Sequence, residues 1–347
     1  MAYSRFECKV TASLFIIWGI LLLSTPVDCF AVSRKQRGLF SRAPFPRALR
    51  KTRFPTLFTL ESTDTGTRVY AALSDSSNGD KPLFTQVISD VDDTLKSSGG
   101  VNVAGVALGG IDVQYPRGEM YPGVAEFMLQ MSLGVASSPT VSNPALAVAP
   151  PKIAILTARA EEFKIALQLK DDSPLVMALR QAGETAGVSN WGVGPVLYGS
   201  VAEWIAQDRK GFRKFTNFER LLQQDPTGII FQYVYVGDTG ELDQEAGETM
   251  LREYPEVVKA VFLHVVADKI GSVTVPPPKI INGRPVIFFR TYVGAAVAAV
   301  QLGFMSMDGL DSVIAASCQR LADVPRESDK WADLERDIAR AQATFVF

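Results

Sequence analysis

Apolar runs of strand length recur between residues 84 and 289 and alternate with segments that have helical spacing. The runs, rich in β-branched residues, predict strands at 84–89, 152–157, 196–198, 229–236, 260–266 and 286–289. The helical spacing predicts helices at 122–131, 215–223 and 243–254. Strands that are apolar throughout and alternate with helices are typical of a parallel sheet covered on both faces. The pattern therefore predicts an α/β fold with a mostly parallel sheet.

The remaining segments of this region have simpler patterns. Residues 99–121 are rich in glycine and turn residues and predict a flap or hairpin, and Pro122 is expected in the first turn of the helix that follows. A Pro/Ser/Ala-rich stretch predicts a peripheral loop at 136–151. The apolar, glycine- and alanine-rich run at 287–304 predicts a last core strand and a close-packed helix, and 329–343 a terminal helix.

The first 60 residues have a different pattern, which predicts a targeting sequence. Two basic residues precede a ten-residue apolar run, Leu14–Leu23, which is shorter than the roughly 20 apolar residues of a membrane span. Residues 1–29 are therefore interpreted as a signal peptide, with an uncleaved signal anchor as the alternative. Residues 30–60 carry eight basic residues and no acidic residue, which is typical of a transit segment or of a basic segment bound to a membrane surface.

The order of these two segments resembles the bipartite presequences of algae with complex plastids, in which the transit part begins at a phenylalanine, here Phe30. The resemblance implies import into a plastid; the alternative is the endoplasmic reticulum or the secretory pathway. Residues 61–82, rich in Ser, Asp and Gly, read as a linker, so that one catalytic domain is expected at 83–347.

Charge and rare residues narrow the function. The net charge of −2 combines ten basic and two acidic residues in 1–60 with 25 basic and 35 acidic residues in 61–347. An acidic body argues against a nucleic-acid partner. One histidine and three cysteines exclude a zinc site built on several His or Cys ligands and a phosphatase that needs two histidines. No arginine follows Cys318 at the spacing of a cysteine-based phosphatase. The chemistry of an enzyme would therefore depend on carboxylates.

Two acidic clusters follow predicted strands. Asp90, Asp92 and Asp93 lie within four residues directly after the first strand. Asp238 and Asp243 follow the strand at 229–236, after a glycine that lets the backbone turn close to a ligand. Strand ends in open α/β sheets are where ligands bind, and clustered carboxylates suit Mg²⁺. The alternative for the first cluster is an acidic turn that caps the next helix.

Two phosphate-binding candidates lie between these clusters. Thr157 is expected at the tip of the second long strand, where its hydroxyl could bind a phosphate. The alternative is that the hydroxyl only forms a hydrogen bond with the backbone at the strand end. Four basic residues precede the helix predicted at 215–223, where they would otherwise be a solvated helix start. They are Arg209, Lys210, Arg213 and Lys214. His264, within an apolar strand, is interpreted as a packed or edge histidine rather than a catalyst.

The order of these motifs resembles motifs I to IV of the haloacid dehalogenase (HAD) superfamily over residues 84–266. Within it, SDVDDTLKSSG at 89–99 and VYVGDTGELD at 234–243 resemble the catalytic domain of actin-patch-protein type phosphatidate phosphatases. The second motif departs from that family. It reads Leu-Thr-Ala-Arg-Ala at 156–160 where the family has a Ser-Ala-Ser-Pro type motif, and is closer to generic phosphatases of the superfamily and to lipin-type enzymes. The resemblance implies a three-layer α/β/α, Rossmann-like HAD fold with a small flap insertion and no large cap.

The resemblance also implies roles. Asp90 would be the nucleophile that forms an aspartyl-phosphate, and Asp92 the acid and base that protonates the leaving oxygen and then deprotonates water. Mg²⁺ would be bound by the side chains of Asp90 and Asp238 and by the backbone carbonyl of Asp92. Asp243 would be a further ligand or would lie beside the ligands.

Thr157 and Lys214 would hold the phosphoryl oxygens. Lys214 fits this role better than Lys210, because its spacing to Gly237 matches the family. Asp93 and Thr94 are expected to support the loop.

The expected activity is a Mg²⁺-dependent phosphatase that hydrolyses a phosphomonoester, with phosphatidate, converted to diacylglycerol, as the substrate suggested by the resemblance. The expected partners are a phosphorylated small molecule or a phospholipid, in the second case with peripheral membrane contact. Two alternatives stay open: a phosphatase of soluble sugar or nucleotide phosphates, and a non-catalytic HAD-like regulatory domain.

Overall fold

The structure, a computed structural model, describes the chain from residue 84 to residue 345 with gaps. The described residues are 84–100, 102–103, 106–107, 112–135, 149–160, 169–199, 210–224, 230–240, 242–269, 271 and 273–345. For residues 102–103, 106–107, 158–160 and 210 the backbone alone is described. All of these residues belong to one compact unit, Arg68–Phe347. The expected presequence and linker, and most of the loop expected at 136–151, lie outside the described residues.

Nine strands form two sheets in the described part of the chain. They are β1 (Phe84–Ser89), β2 (Asn102–Val103), β3 (Val106–Ala107), β4 (Ile153–Ala160), β5 (Val193–Gly199), β6 (Ile230–Asp238), β7 (Val258–His264), β8 (Lys279–Ile281) and β9 (Arg284–Phe289). The main sheet has seven strands in the order β5-β4-β1-β6-β7-β9-β8. Its neighbouring strands are parallel except for the antiparallel pair β8 and β9. The predicted α/β class and the mostly parallel sheet are confirmed.

The strand order places one crevice in the sheet. When the six parallel strands are numbered 1 to 6 along the chain, their order across the sheet is 3-2-1-4-5-6, which is the order of doubly wound folds. The chain moves outward from β1 to β4 and β5 and then returns to β6 on the other side of β1. Such a change of direction opens a crevice at the carboxyl ends of the two central strands. Here those strands are β1 and β6, which pair from Phe84 to Ser89.

Helices cover both faces of the sheet. They are α1 (Val124–Leu133), α2 (Pro174–Thr185), α3 (Lys210–Gln223), α4 (Asp243–Glu253), α5 (Tyr292–Gln301), α6 (Met307–Arg320) and α7 (Asp329–Thr344). Because successive side chains of a strand point to opposite faces, Val87 of β1 joins the core beneath α1, α2 and α5–α7. Its neighbour Ile88 joins the core beneath α3 and α4. The helices and the sheet therefore form three layers.

Several element bounds differ from the predicted ones. Helix α1 begins at Val124, because Gly123 precedes it in a left-handed conformation (φ 76°), so Pro122 lies outside the first turn. Helix α3 begins at Lys210, five residues before the predicted start, since its first turns carry charged residues that hide the helical spacing. Strand β4 continues to Ala160, so Thr157 lies within the strand and not at its tip. Helices α2 and α6 have no counterpart in the prediction.

Other predicted features agree with the structure. The hairpin of β2 and β3 lies within residues 99–121. Strand β9 and helix α5 form the predicted close-packed pair, with all but the last two residues of α5 buried. His264 is 1 % exposed at the end of β7, which confirms a packed histidine. Among the helices of the described residues, none combines the length and the apolar character that a membrane crossing requires.

Candidate active site

Two aspartates mark the crevice between β1 and β6. Asp90 follows the last residue of β1, and its backbone N–H donates to the carbonyl of Val236 on β6 at 3.1 Å. Asp238 is the last residue of β6. Because the two strands are parallel and in register, with Ser89 opposite Val236, both side chains emerge at the same edge of the sheet. The sheet topology therefore brings together two residues that are 148 positions apart in the sequence.

A third carboxylate joins these two. Asp243 is the first residue of α4. One carboxylate oxygen from each of Asp90, Asp238 and Asp243 lies within 4.8 Å of the others. All three residues are buried, with at most 4 % of their surface exposed. Two carboxylates about 4 Å apart repel each other by about 4 kcal/mol at an effective dielectric of about 20. The cluster therefore needs positive charge.

Lys214 supplies part of that charge. Its Nζ lies 3.2 Å from Oδ2 of Asp90 and also contacts Oδ1 of Asp243. The lysine is 1 % exposed, because Phe218, one turn further along α3, anchors that face of the helix in the core. Of the two lysines considered from the sequence, Lys214 is thus brought to the aspartates, whereas the side chain of Lys210 lies outside the described residues.

A glycine allows the close packing of this cluster. A Cβ atom built on Gly237 would lie 2.7 Å from both Cβ and Oδ2 of Asp243. Oδ2 of Asp243 also accepts the backbone N–H of Asp238 at 3.3 Å. Because Gly237 has no side chain, the first residue of α4 can pack against the end of β6. The sequence predicted a close approach of the backbone to a ligand at this glycine, and in the structure the group that approaches it is Asp243.

Asp92 and Thr157 lie at the same edge of the sheet. Asp92, half-buried, follows β1 by three residues, and the carboxylate cluster of the described residues does not include it. Thr157, 3 % exposed, is two residues beyond Ile155, the partner of Ser89 in the register of β1 and β4. The structure therefore places both residues on strands or turns next to Asp90.

The turn after β1 is held by Asp93. This residue has a left-handed backbone (φ 55°), which is rare for a residue other than glycine. Its carboxylate accepts the N–H of Ser98 at 2.7 Å, the hydroxyl of Ser98 at 3.0 Å and the N–H of Asp112 at 3.1 Å. Burial raises the pKa of Asp93 more than these hydrogen bonds lower it. The predicted supporting role of Asp93 agrees with this geometry.

Two features of the site escaped the sequence reasoning. Tyr235 of β6 is fully buried, and its pKa is raised well above the ordinary value by burial and then by the charge of Asp243. Arg290 directly follows the apolar strand β9 and is 4 % exposed, with an ion pair to Asp112 at 3.0 Å. Arg290 could have been found from the sequence as a charged residue directly after an apolar strand, which is the signal that identified Asp90.

The donor set fits a hard divalent cation. Three buried carboxylates lie within 4.8 Å of one another, and two of them, those of Asp90 and Asp243, contact the ammonium of Lys214. Carboxylate oxygens are the ligands that Mg²⁺ and Ca²⁺ take in proteins. Both oxygens of Asp243 already have partners, Lys214 and the N–H of Asp238. Asp90 and Asp238 have polar partners as well, the ammonium of Lys214 and the N–H of Gly240, so all three carboxylates are candidate ligands.

The fold and the site together define an α/β protein of doubly wound order with a buried site of three aspartates and a lysine. Comparisons with protein-family models, with curated proteins and with solved structures found no match for the chain. Membership of the HAD superfamily thus stays a prediction from the motifs.

Proposed function

We propose that the protein is a Mg²⁺-dependent phosphatase that hydrolyses a phosphomonoester through a phosphorylated aspartate. The observation that carries the proposal is the buried cluster of Asp90, Asp238 and Asp243 with Lys214 at the switch point of the sheet. Doubly wound folds bind ligands in this crevice. A dianionic phosphoryl group could approach such an acidic cluster only when cations offset its charge, as a divalent ion and a lysine would together.

Asp90 would be the nucleophile. One of its carboxylate oxygens forms a bond to phosphorus while the bond from phosphorus to the ester oxygen breaks, and water then cleaves the aspartyl-phosphate and releases inorganic phosphate. Asp92 would donate a proton to the ester oxygen and take one from the water. The half-buried position of Asp92 suits this exchange, because a group that must be protonated again needs access to solvent.

Lys214 and Thr157 would bind the phosphoryl oxygens. The ammonium of Lys214 lies 3.2 Å from Asp90, so it can contact a group bonded to that carboxylate and offset the charge that develops in the transition state. Asp243 holds this lysine in place. Thr157 lies on β4, the neighbour of β1, where its hydroxyl can serve as a donor to the same group.

The metal ion would be held by the carboxylates of Asp90 and Asp238 and by the backbone carbonyl of Asp92. When bound, it would neutralise negative charge and polarise a phosphoryl oxygen. The substrate class follows from the motif resemblance: phosphatidate is the proposed substrate, in a plastid reached through the N-terminal presequence.

The test compares the full-length chain with its Asp90→Asn variant. The wild type should release inorganic phosphate from a panel of phosphomonoesters, with phosphatidate vesicles included, only in the presence of Mg²⁺. Asp90→Asn should abolish release, whereas Asp171→Asn, the same change at a carboxylate that is 96 % exposed, should not affect it. Acid quenching followed by mass spectrometry should find the phosphoryl group on Asp90.

Three results would overturn parts of this proposal. Undiminished release by Asp90→Asn would remove the nucleophile. Activity on sugar or nucleotide phosphates without activity on phosphatidate, and without flotation with phosphatidate vesicles, would replace the lipid by a soluble substrate. A wild type that releases no phosphate from any compound would favour the non-catalytic domain.

A further inference from the structure

A second buried polar cluster lies beside the candidate active site, on the side of β7 and β9. It joins Asp93, after β1, to His264 at the end of β7 and to Arg290 at the end of β9. Asp112 and Tyr121, from the segment before α1, complete it. All five residues are at most 4 % exposed. The cluster therefore connects the ends of two strands, β7 and β9, to the turn after β1 that carries the proposed catalytic aspartates.

The imidazole of His264 lies between two backbone carbonyl groups. Nδ1 is 2.7 Å from the carbonyl oxygen of Asp93, and Nε2 is 3.1 Å from that of Arg290. Nε2 is also 3.4 Å from Nη1 of Arg290, which is a donor. A neutral imidazole carries one N–H, and a carbonyl oxygen can only accept. The proton belongs on Nδ1, where the contact is shorter, and Nε2 can then accept from the guanidinium.

The surroundings of the ring keep it neutral. Burial, and then the positive charge of Arg290, lower the pKa of His264 to about 4. Arg290 is fixed by Asp112 at 3.0 Å and by the carbonyl of Val265 at 2.6 Å. Asp112 also accepts the hydroxyl of Tyr121 at 2.9 Å. Asp333 also pairs with Arg290, at 3.4 Å, so the guanidinium that faces Nε2 is held from several sides.

Asp93 is the point where this cluster meets the catalytic turn. Its backbone is left-handed, its N–H donates to the carbonyl of Lys96 at 2.7 Å, and its carboxylate is held by Ser98 and Asp112. The carbonyl of Asp93 contacts the side chain of His264, at the end of β7. Loss of that contact would release the peptide between Asp93 and Thr94, one residue after Asp92.

We propose that His264 is a positioning residue for the reaction proposed above: its Nδ1–H donates to the carbonyl of Asp93 and thereby fixes the turn that orients Asp90 and Asp92. This inference rests on the proposed function for its kinetic part only. Removing a group that orients a catalytic or metal-binding residue typically costs about 10- to 100-fold in activity or metal affinity.

The competing explanation is that His264 merely fills space. Its ring packs on Tyr121, with 4.3 Å between ring centroids, and on Phe289 at 5.5 Å. Two substitutions separate the roles. His264→Phe keeps an aromatic ring and loses the donor, whereas His264→Asn keeps an N–H near the position of Nδ1 and loses most of the packing.

The kinetic experiment compares the two variants in the full-length chain. We expect kcat to fall about 10- to 100-fold in His264→Phe, with KM for the substrate changed far less, and to stand closer to the wild type in His264→Asn. The melting temperature should show the reverse order. Full activity in His264→Phe, or a greater loss of kcat in His264→Asn, would overturn the proposal.

Two measurements that need no catalysis keep the inference separate from the proposed function. His264 is the single histidine of the chain, so ¹⁵N labelling of histidine reports one imidazole. At pH 7 the wild type should show the neutral Nδ1–H form, and an Nε2–H or doubly protonated ring would overturn the proposal. The amides of Asp93 and Leu95, which donate within the turn, should exchange with solvent faster in His264→Phe than in His264→Asn. Equal exchange in both variants would overturn it as well, even if the wild type hydrolyses nothing.

Discussion

Replacing Gly237 by alanine tests whether the contact between β6 and α4 sets the geometry of the site. The new Cβ would lie 2.7 Å from Cβ of Asp243, whereas carbon atoms pack at about 3.5–4.0 Å, so Asp243 must move by about 0.8–1.3 Å. Asp243 is the first residue of a helix and cannot rotate away freely. Its displacement would carry Lys214 away from Asp90, since Lys214 contacts both aspartates.

The expected loss is large in rate and moderate in stability. A misplacement of about 1 Å can cost about 100-fold in rate, which corresponds to about 2.7 kcal/mol of transition-state stabilisation. Overpacking a core typically lowers the free energy of unfolding by about 1–3 kcal/mol. Gly237 has no left-handed backbone, so strain of that kind adds nothing to the effect.

The assay measures kcat of Gly237→Ala with the best substrate of the panel and the free energy of unfolding in urea. Gly183→Ala is the matched control. Its Cβ would lie 2.9 Å from the carbonyl of Val188 and 3.0 Å from Cβ of Trp191, in α2 and away from the aspartates. Both variants should lose stability, but only Gly237→Ala should lose about two orders of magnitude in kcat. Equal kcat values in the two variants would refute the argument that Gly237 sets the geometry of the lysine and the aspartates.

Two further predictions concern the metal ion and pH. Mg²⁺ at about 100 times its dissociation constant should add about 2.7 kcal/mol to the free energy of unfolding and raise the melting temperature by about 5–10 °C. A chelator should reverse this shift, and the Asp238→Asn variant should lack it. An unchanged shift in that variant would show that Asp238 is not a ligand. Because the pKa of His264 is lowered from 6.5 to about 4 on folding, the unfolded chain takes up a proton that the folded chain refuses as the pH falls from about 6.5 to 4. The free energy of unfolding should therefore fall by up to about 3 kcal/mol through this pH window. Urea midpoints measured from pH 7.5 to pH 4 should lack that part of the decrease in His264→Phe. An equal dependence of the midpoint on pH in both proteins would contradict the lowered pKa.

The strand framework could be read from the sequence because buried parallel strands are apolar on both faces. Each predicted strand overlaps a strand of the main sheet, and Asp90 and Asp238 follow two of them. Because the carboxyl ends of parallel strands lie at one edge of a sheet, the sequence predicted that Asp90 and Asp238 would lie at the same edge. That β1 and β6 are direct neighbours depends on the order of the strands, which the hydrophobic pattern does not encode.

The rest of the site could not be read because its signals are not local. Lys214, which the motif resemblance identified, interrupts the apolar face of α3 with a charge, and its burial beside Asp90 and Asp243 on other elements leaves no sign in the pattern of α3 itself. Arg290 and Asp112 are 178 positions apart, and neither lies in a motif. An ion pair of this kind leaves no periodic pattern, so the sequence identified the groups proposed for chemistry and the supporting Asp93 but not Arg290 and Asp112.

The two neighbouring acidic clusters explain why a cation is expected in one and not in the other. In the cluster around Arg290, each oxygen of Asp112 has a donor, from Gln114 on one side and from Tyr121 and Arg290 on the other. Arg290 lowers the pKa of Asp112 despite the opposing effect of burial, so this carboxylate is satisfied by the protein itself. In the cluster of Asp90, Asp238 and Asp243, three carboxylates lie within 4.8 Å of one another, and Lys214 contacts two of them.

Repulsion within this cluster favours a bound cation. Two carboxylates about 4 Å apart repel each other by about 4 kcal/mol at an effective dielectric of about 20, and a divalent ion between them would offset that repulsion. Calorimetry should therefore detect Mg²⁺ binding to the free protein, and an absence of binding would show that the protein's own donors suffice to hold the three carboxylates together.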